Sequence, residues 1–178
     1  MTIPTLKTDR LTLRPLSITD LDDLFLLRSD ASASNFVDSI ADTSKDQTFL
    51  HLIKTLKAID EGQYWKWAID LNGKMIGTIA IWNHDRQHDS AEFGYTLRSP
   101  YRGYGYMSES LETLIDYGHT TLNISKLYAY TEISNERSNR LLPKLGFIYQ
   151  KTVNEMGLNR KDQLFHYNVY LHASSASE

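Results

Sequence analysis

With 178 residues, 41% of them hydrophobic and 23% charged, the chain has ordinary globular proportions and the length for one domain rather than two. The absence of cysteine excludes thiolate catalysis and cysteine-ligated zinc, and fits a reducing compartment. A net charge of −3 without a long basic block argues against nucleic acid as a partner, and no apolar run has the length of a signal peptide or membrane span. The expectation is a cytoplasmic protein that uses no membrane.

In chain order, residues 10–16 (RLTLRPL) alternate apolar and polar as a strand does. Thr19 or Asp20 is placed to cap a helix with Leu21, Leu24, Phe25 and Leu27 on one face. A second helical pattern carries Phe49, Leu52, Ile53, Leu56 and Ile59 and ends near Gly62. Residues 64–71 and 74–82 are aromatic and aliphatic runs joined by Asn72-Gly73, a strong hairpin signal, and 91–97 continues the meander. A helix over 105–118 turns Met107, Leu111, Leu114 and Ile115 inward; a strand over 126–132 and a short helix over 136–144 follow. Strands over 147–153 and 164–171 close the list. The strand–helix–strand passage through 91–132 implies one parallel pair, so the expected class is α/β, with a mixed, mostly antiparallel, twisted central sheet flanked by helices. Residues 1–172 read as one domain and 173–178 (ASSASE) as a disordered tail.

The sharpest feature is Pro100-Tyr101-Arg102-Gly103-Tyr104-Gly105-Tyr106-Met107, between a strand and an amphipathic helix. Two glycines one residue apart let the backbone turn tightly and come close to a ligand, and the free N–H groups at the helix start point into the same concavity. That suits a pyrophosphate, with Arg102 adding positive charge at the rim. The spacing is not that of a dinucleotide fold, whose third glycine is replaced by Ser108, nor of a P-loop. A glycine-rich turn that simply reverses the chain has the same composition.

Arg102-x-x-Gly105-x-Met107 resembles the acyl-CoA-binding signature Gln/Arg-x-x-Gly-x-Gly/Ala of the GNAT superfamily of N-acetyltransferases, with Met107 in place of the small sixth residue, as in the RimJ/RimL-like branch. Thr8 to Arg14 is similar to that branch's first strand, Ala91-Glu92-Phe93-Gly94-Tyr95 to its fourth, and Asn135-x-x-Ser138-x-x-Leu141-x-x-Lys144-Leu145-Gly146-Phe147 to its last conserved segment. The resemblance spans residues 8–171. It implies a sheet whose fourth and fifth strands splay, acetyl-CoA as cosubstrate with its pantetheine arm in the splay, and no metal. The residues it assigns to acetyl-CoA are Tyr95, Leu97, Arg102, Gly103, Tyr104, Gly105, Tyr106, Met107 and Asn135.

Attack of an amine on a thioester in a ternary complex needs a neutral amine, a stabilised oxyanion and a proton for the leaving thiolate. Glu92 is the expected base, directly or through water, with Phe93, Tyr95 and Trp82 as apolar surroundings; a solvated strand glutamate is the plainer reading. Many GNAT enzymes carry a tyrosine acid where this chain has Leu142, and the resemblance offers Ser138 instead; a plain first-turn serine remains open. Asn135 caps the short helix, which Pro143 should end or kink. The oxyanion is expected at a backbone N–H of a Gly94–Tyr95 bulge. His84 and His88 read as solvated in a polar turn.

The acceptor is expected to be a protein N-terminal α-amine, with a small amine (antibiotic, polyamine or amino acid) as the alternative and a non-catalytic acyl-CoA sensor as a third reading. Its pocket would lie between residues 20–60 and the 83–89 loop. There Asp20, Asp22, Asp23, Asp30, Asp38, Asp42, Asp46, Asp60 and Glu61 favour a cationic acceptor on one reading and are merely solvated helix faces on the other. A monomer and a homodimer fit equally well.

Overall fold

The computed structural model describes residues 3–34, 36 and 38–174. The chain opens with β1 (Leu6–Lys7) and β2 (Thr12–Pro15), paired antiparallel. Asp20 stands at the N-cap of the first long helix, as expected, but makes no side-chain cap bond there; that bond is made one turn earlier, by Ser17. Its hydroxyl accepts from the Thr19 N–H while the Asp20 carboxylate accepts from the Ser17 N–H at 2.8 Å, a capping box around one 3₁₀ turn. Asp20 is buried, and the Arg14 guanidinium holds it at 2.6 Å and also reaches Asp70 at 2.8 Å, fixing the start of α1 (Leu21–Arg28) to the sheet.

After a four-residue α2 (Ala31–Ser34), α3 runs Lys45–Asp60 from a Ser44 cap. The expected apolar stripe is rotated: Thr48, Leu52 and Thr55 are the buried positions, while Phe49 and Ile53 are 41% and 43% exposed. The helix seats Leu52 beside Leu24, Leu27 and Ala68, and a helix face is chosen by what it meets rather than by hydropathy alone.

β3 (Tyr64–Leu71) and β4 (Lys74–Asp85) form the expected hairpin, with Asn72 at φ 54° and Gly73 at φ 82°, the two left-handed residues of a type I′ turn. β5 (Ser90–Leu97), α4 (Tyr106–Thr120), β6 (Lys126–Glu132), α5 (Glu136–Lys144), β7 (Ile148–Met156) and β8 (Leu164–Ala173) follow. Among the described residues one sheet takes all the strands in the order β1-β2-β3-β4-β5-β6-β8-β7, and only β5 and β6 pair in parallel. α4 is the crossover that a parallel pair requires.

One sheet face packs Phe93, Ala91 and Leu127 against Leu111, Leu114 and Ile115 of α4 and Leu142 of α5. Leu111, Leu114 and Leu142 are fully buried, each side chain contributing roughly 2 kcal/mol. The other face carries Ala68 and Met75 under α1 and α3. Ala173, expected in the tail, instead pairs with Lys126, and the Ser174 N–H donates to the Ser125 carbonyl at 2.9 Å. The rest of the expected tail, 175–178, lies outside the described residues. No helix is long and apolar enough to cross a membrane among those described.

Candidate active site

β5 and β6, the fourth and fifth strands counted from β2, part company halfway along. Bridges run from Ser90↔Lys126 to Phe93↔Ala129 and stop, although β5 continues to Leu97 and β6 to Glu132. The Arg98 N–H donates to the Ile76 carbonyl at 2.9 Å, which fixes the alternation along β5. The peptide groups of Gly94 and Thr96 turn toward β4, and those of Tyr95 and Leu97 toward the gap. Arg102 Nε takes the Leu97 carbonyl at 3.1 Å. The Tyr95 peptide is left on a strand edge of the kind an extended amide chain can join.

The gap opens beside the glycine turn. Gly103 and Gly105 sit at φ 88° and 82°, where a β-carbon is strained. The first backbone bond of α4 is from Glu109 N–H to the Gly105 carbonyl, 3.1 Å, so the N–H groups of Tyr106, Met107 and Ser108 lack intrahelical acceptors and suit an anion. The turn is strapped from outside. The Glu109 carboxylate accepts from the Thr8 hydroxyl and from the N–H and Nε of Arg10, both at 2.7 Å; Arg10 also donates to the Tyr104 carbonyl at 3.0 Å and lies over the Tyr106 ring. Burial opposes the Glu109 charge, but these donors outweigh it and hold its pKa below the usual range.

One expectation for this loop needs correction. Arg102 is not a free rim cation: its guanidinium is half-buried, reaching Ser32 Oγ at 3.2 Å and Asp30 at 3.6 Å, so its charge is largely committed. The Met107 side chain lies in the core, as the helical stripe predicts, which leaves its N–H for the turn. Tyr104 by contrast is 63% exposed, stacked on Tyr106. Sequence reasoning passed over Arg137, exposed in the first turn of α5 and near enough for its charge to act on Arg102. Its signal was its place next to Ser138.

Glu92 stands between Trp82 of β4 and Tyr128 of β6, half-buried. Its Oε1 accepts from Asn83 Nδ2 at 2.9 Å. Asn83, at φ 50° beside the register shift after Trp82, was not anticipated; asparagine tolerates that conformation, and the irregularity turns its amide onto Glu92. The expected surroundings are only partly right. Strand alternation sends Phe93 and Tyr95 to the opposite face, where Phe93 stacks on Phe147 at 5.4 Å; Trp82 alone shares the face of Glu92. Nor is there a bulge at Gly94–Tyr95, because the ladder runs evenly through Ile79↔Tyr95 and Ala80↔Gly94. Gly94 is required for another reason: a β-carbon there would lie 2.6 Å from the Trp82 ring. Glu92 and Glu155 add to burial in raising the Tyr130 phenol.

Above the gap, Asn135 caps α5 by accepting from the Ser138 N–H at 3.3 Å, and the helix ends one residue after Pro143. Burial pushes the Tyr95 phenol up to about 12, with the Ser138 hydroxyl opposing the shift. Ser138 nevertheless falls short of a full bond: Tyr95 Oη has no hydrogen-bond partner among the described residues. The only other buried side-chain polar atom so placed among them is Thr131 Oγ1.

Six of the acids expected to draw a cationic acceptor are committed elsewhere. Asp20, Asp22, Asp23, Asp30 and Asp42 pair with Arg14, Lys45, Arg98, Arg102 and Arg28, while Asp38 accepts from the N–H groups of Leu158, Asn159 and Arg160. A cavity of about 980 Å³ opens at the opposite end of β5 and β6, among Asp89, Asp116, His119, Ser125 and His172. There His119 Nε2 and His172 Nδ1 share a 2.8 Å bond, a pairing the sequence did not suggest. His88 leans on Asp85 and His84 on Trp65 in the polar turn.

Residues 10–148 match the family model described as an acetyltransferase (GNAT) domain. The uncharacterized N-acetyltransferase p20 of Bacillus licheniformis is 32% identical over 145 residues, covering 80% of this chain and 82% of its own. The spermidine N(1)-acetyltransferase of Escherichia coli is 29% identical over 91 residues, 51% of this chain and 49% of its own. Among solved structures, RimL, a ribosomal L7/L12 α-N-protein acetyltransferase in complex with coenzyme A, superposes with a TM-score of 0.83 at 21% identity, covering 98% of this chain and 99% of its own.

Proposed function

From the premise that the chain belongs to the GNAT acetyltransferase family, we propose that it transfers acetyl from acetyl-CoA to a primary amine, foremost the N-terminal α-amine of a protein. The observation that carries the donor side is the conjunction of a glycine turn at positive φ, a helix start with unused N–H groups, and a strand edge opened by the splay. The N–H groups of Tyr106, Met107 and Ser108 would receive the pyrophosphate, with Arg137 alongside, and the Tyr95 carbonyl would accept from a pantetheine amide N–H. Acetyl-CoA supplies the activated acyl group; the chain's own residues do the rest.

Alkyl ammonium groups are mostly protonated at neutral pH, so the acceptor must lose a proton before it attacks. Glu92 is the base: Asn83 occupies Oε1 and fixes the carboxylate, leaving Oε2 for the amine or an intervening water. The Tyr95 N–H, freed by the splay rather than by a bulge, is the donor for charge developing on the carbonyl oxygen. Ser138 hands a proton to the departing sulfur.

A protein terminus is favoured over a small amine by the openness of the acceptor face. Tyr64, Tyr130 and Ile133 there are 37%, 43% and 48% exposed, which suits the side chains of a peptide better than a closed pocket. The likeness of fold to the ribosomal-protein enzyme supports the same reading. The test is acetyl transfer to a panel of peptides with free N-termini, run beside spermidine and other small amines. Higher kcat/KM on peptides is expected; preference for spermidine would move the acceptor to the polyamine class. Glu92→Gln should keep acetyl-CoA affinity and lower kcat by about 100-fold or more, and an unchanged kcat would remove Glu92 as base.

A further inference from the structure

The two buried hydroxyls without partners belong to one feature. The last bridged pair of the parallel strands is Phe93↔Ala129, and Tyr95 and Thr131 stand one alternation beyond it, one on each side of the gap. Both side chains point to the α4 and α5 face: Phe93 and Ala129 lie in the core on that side, and residues two apart share a face. Ser138 in the first turn of α5 stands near the Tyr95 hydroxyl. The polar groups next to them are already occupied, since Tyr170 Oη donates to Asn139 Oδ1 at 3.0 Å and Asn168 Nδ2 donates to the same oxygen at 2.9 Å.

Buried hydroxyls are paired in folded proteins with few exceptions, and phenylalanine and valine would fill these two positions without the penalty. Orphans on facing lips of the splayed β5–β6 pair therefore point to a group that arrives with the substrate. We infer that Tyr95 and Thr131 form a thiolate-binding pair, donating hydrogen bonds to the sulfur of coenzyme A as the acetyl group leaves. This rests on the acetyl-transfer reading and adds two catalytic residues to it.

The chemistry balances simply. The carbon–nitrogen bond forms, the carbon–sulfur bond breaks with its electron pair on sulfur, the amine proton passes to Glu92 and on to water, and sulfur is finally protonated from water through Ser138. The burial that raises the Tyr95 phenol keeps it protonated while a thiol of ordinary pKa near 8.5 ionises, so Tyr95 donates a hydrogen bond without giving up its proton. A neutral donor in a dry site stabilises charge that appears only late in the reaction, which lowers the barrier without tightening ground-state binding.

The test compares wild type, Tyr95→Phe, Thr131→Val and the double variant, using acetyl-CoA, coenzyme A and desulfo-coenzyme A as probes. Removal of an orphaned hydroxyl should leave the melting temperature unchanged or raise it, so loss of fold will not obscure the result. For Tyr95→Phe the expectation is a fall in kcat of about 100-fold with acetyl-CoA affinity changed less than about threefold, and a smaller fall for Thr131→Val. The ultraviolet titration of the bound thiol should move to higher pH in the variants. The preference for coenzyme A over desulfo-coenzyme A above that pKa should disappear in the double variant. Variants that keep kcat, thiol titration and sulfur preference would overturn the inference while leaving acetyl transfer intact. A folded wild type that binds neither acetyl-CoA nor coenzyme A would overturn the functional reading itself, and the inference with it.

Discussion

The two ends of the β5–β6 pair use opposite strategies. At the bridged end the strands pair through Phe93↔Ala129, and the Lys126 N–H and Ser125 hydroxyl both close on Asp89. His119 bonds at once to the Ile124 carbonyl and to His172. At the open end the strands separate, peptide groups face a gap, and Tyr95 and Thr131 keep buried hydroxyls without partners among the described residues. A cavity of about 980 Å³ lies at the bridged end, yet unmet hydrogen-bonding capacity marks the other. The difference teaches that volume alone is a poor guide to a site: a cavity among satisfied groups asks nothing of a ligand, whereas orphaned donors do.

The strongest way to break this contrast is at the glycine turn. Gly105→Val puts a β-branched residue at φ 82° with its Cβ 3.3 Å from Arg10 Nη2, and should reduce acetyl-CoA affinity by more than about 100-fold in calorimetry with the fold retained. Retained affinity would separate the cradle from donor binding.

Acid should act on the helix layer and the bridged end. Burial, with Arg28 and Lys66 nearby, lowers His51 to about 4, and burial beside His119 lowers His172. Both are depressed below the free value near 6.5, so the unfolded chain binds more protons below that pH. Their stabilisation is complete above about pH 6.5 and is lost as pH falls below it; for His51 the loss runs down to about pH 4 and amounts to roughly 2 kcal/mol after allowing for its partial exposure. Chemical denaturation at pH 7.5 and 5 measures the loss, and His51→Gln should flatten it.

The smallest effect is expected from His119→Ala. It should cost about 1 kcal/mol by stranding the Ile124 carbonyl and His172 Nδ1, and should leave kcat unchanged. A large change in kcat would erase the distinction between the two ends.

Much of this was legible in the chain itself. The Asn72-Gly73 hairpin, the strand after it, the parallel crossover, the α4 stripe and the glycine turn are local patterns, and each formed where its period or turn chemistry put it. Glu92, Ser138 and Asn135 could be singled out because their neighbours in sequence make a recognisable spacing. The misses are all non-local. Arg102 finds Asp30 some seventy residues away, Phe93 and Tyr95 turn from Glu92 because the sheet has a second face, and α3 buries Thr48, whose hydroxyl donates to the Asp42 carboxylate that Arg28 of α1 holds. Trp82 makes Gly94 obligatory from across the ladder. Sequence alone thus determined which segments are strands, helices and turns, since backbone propensity and side-chain period act over a few residues. Only the tertiary structure decided which charges are spent and which hydroxyls are left waiting, because satisfaction and burial depend on partners brought together from distant parts of the chain.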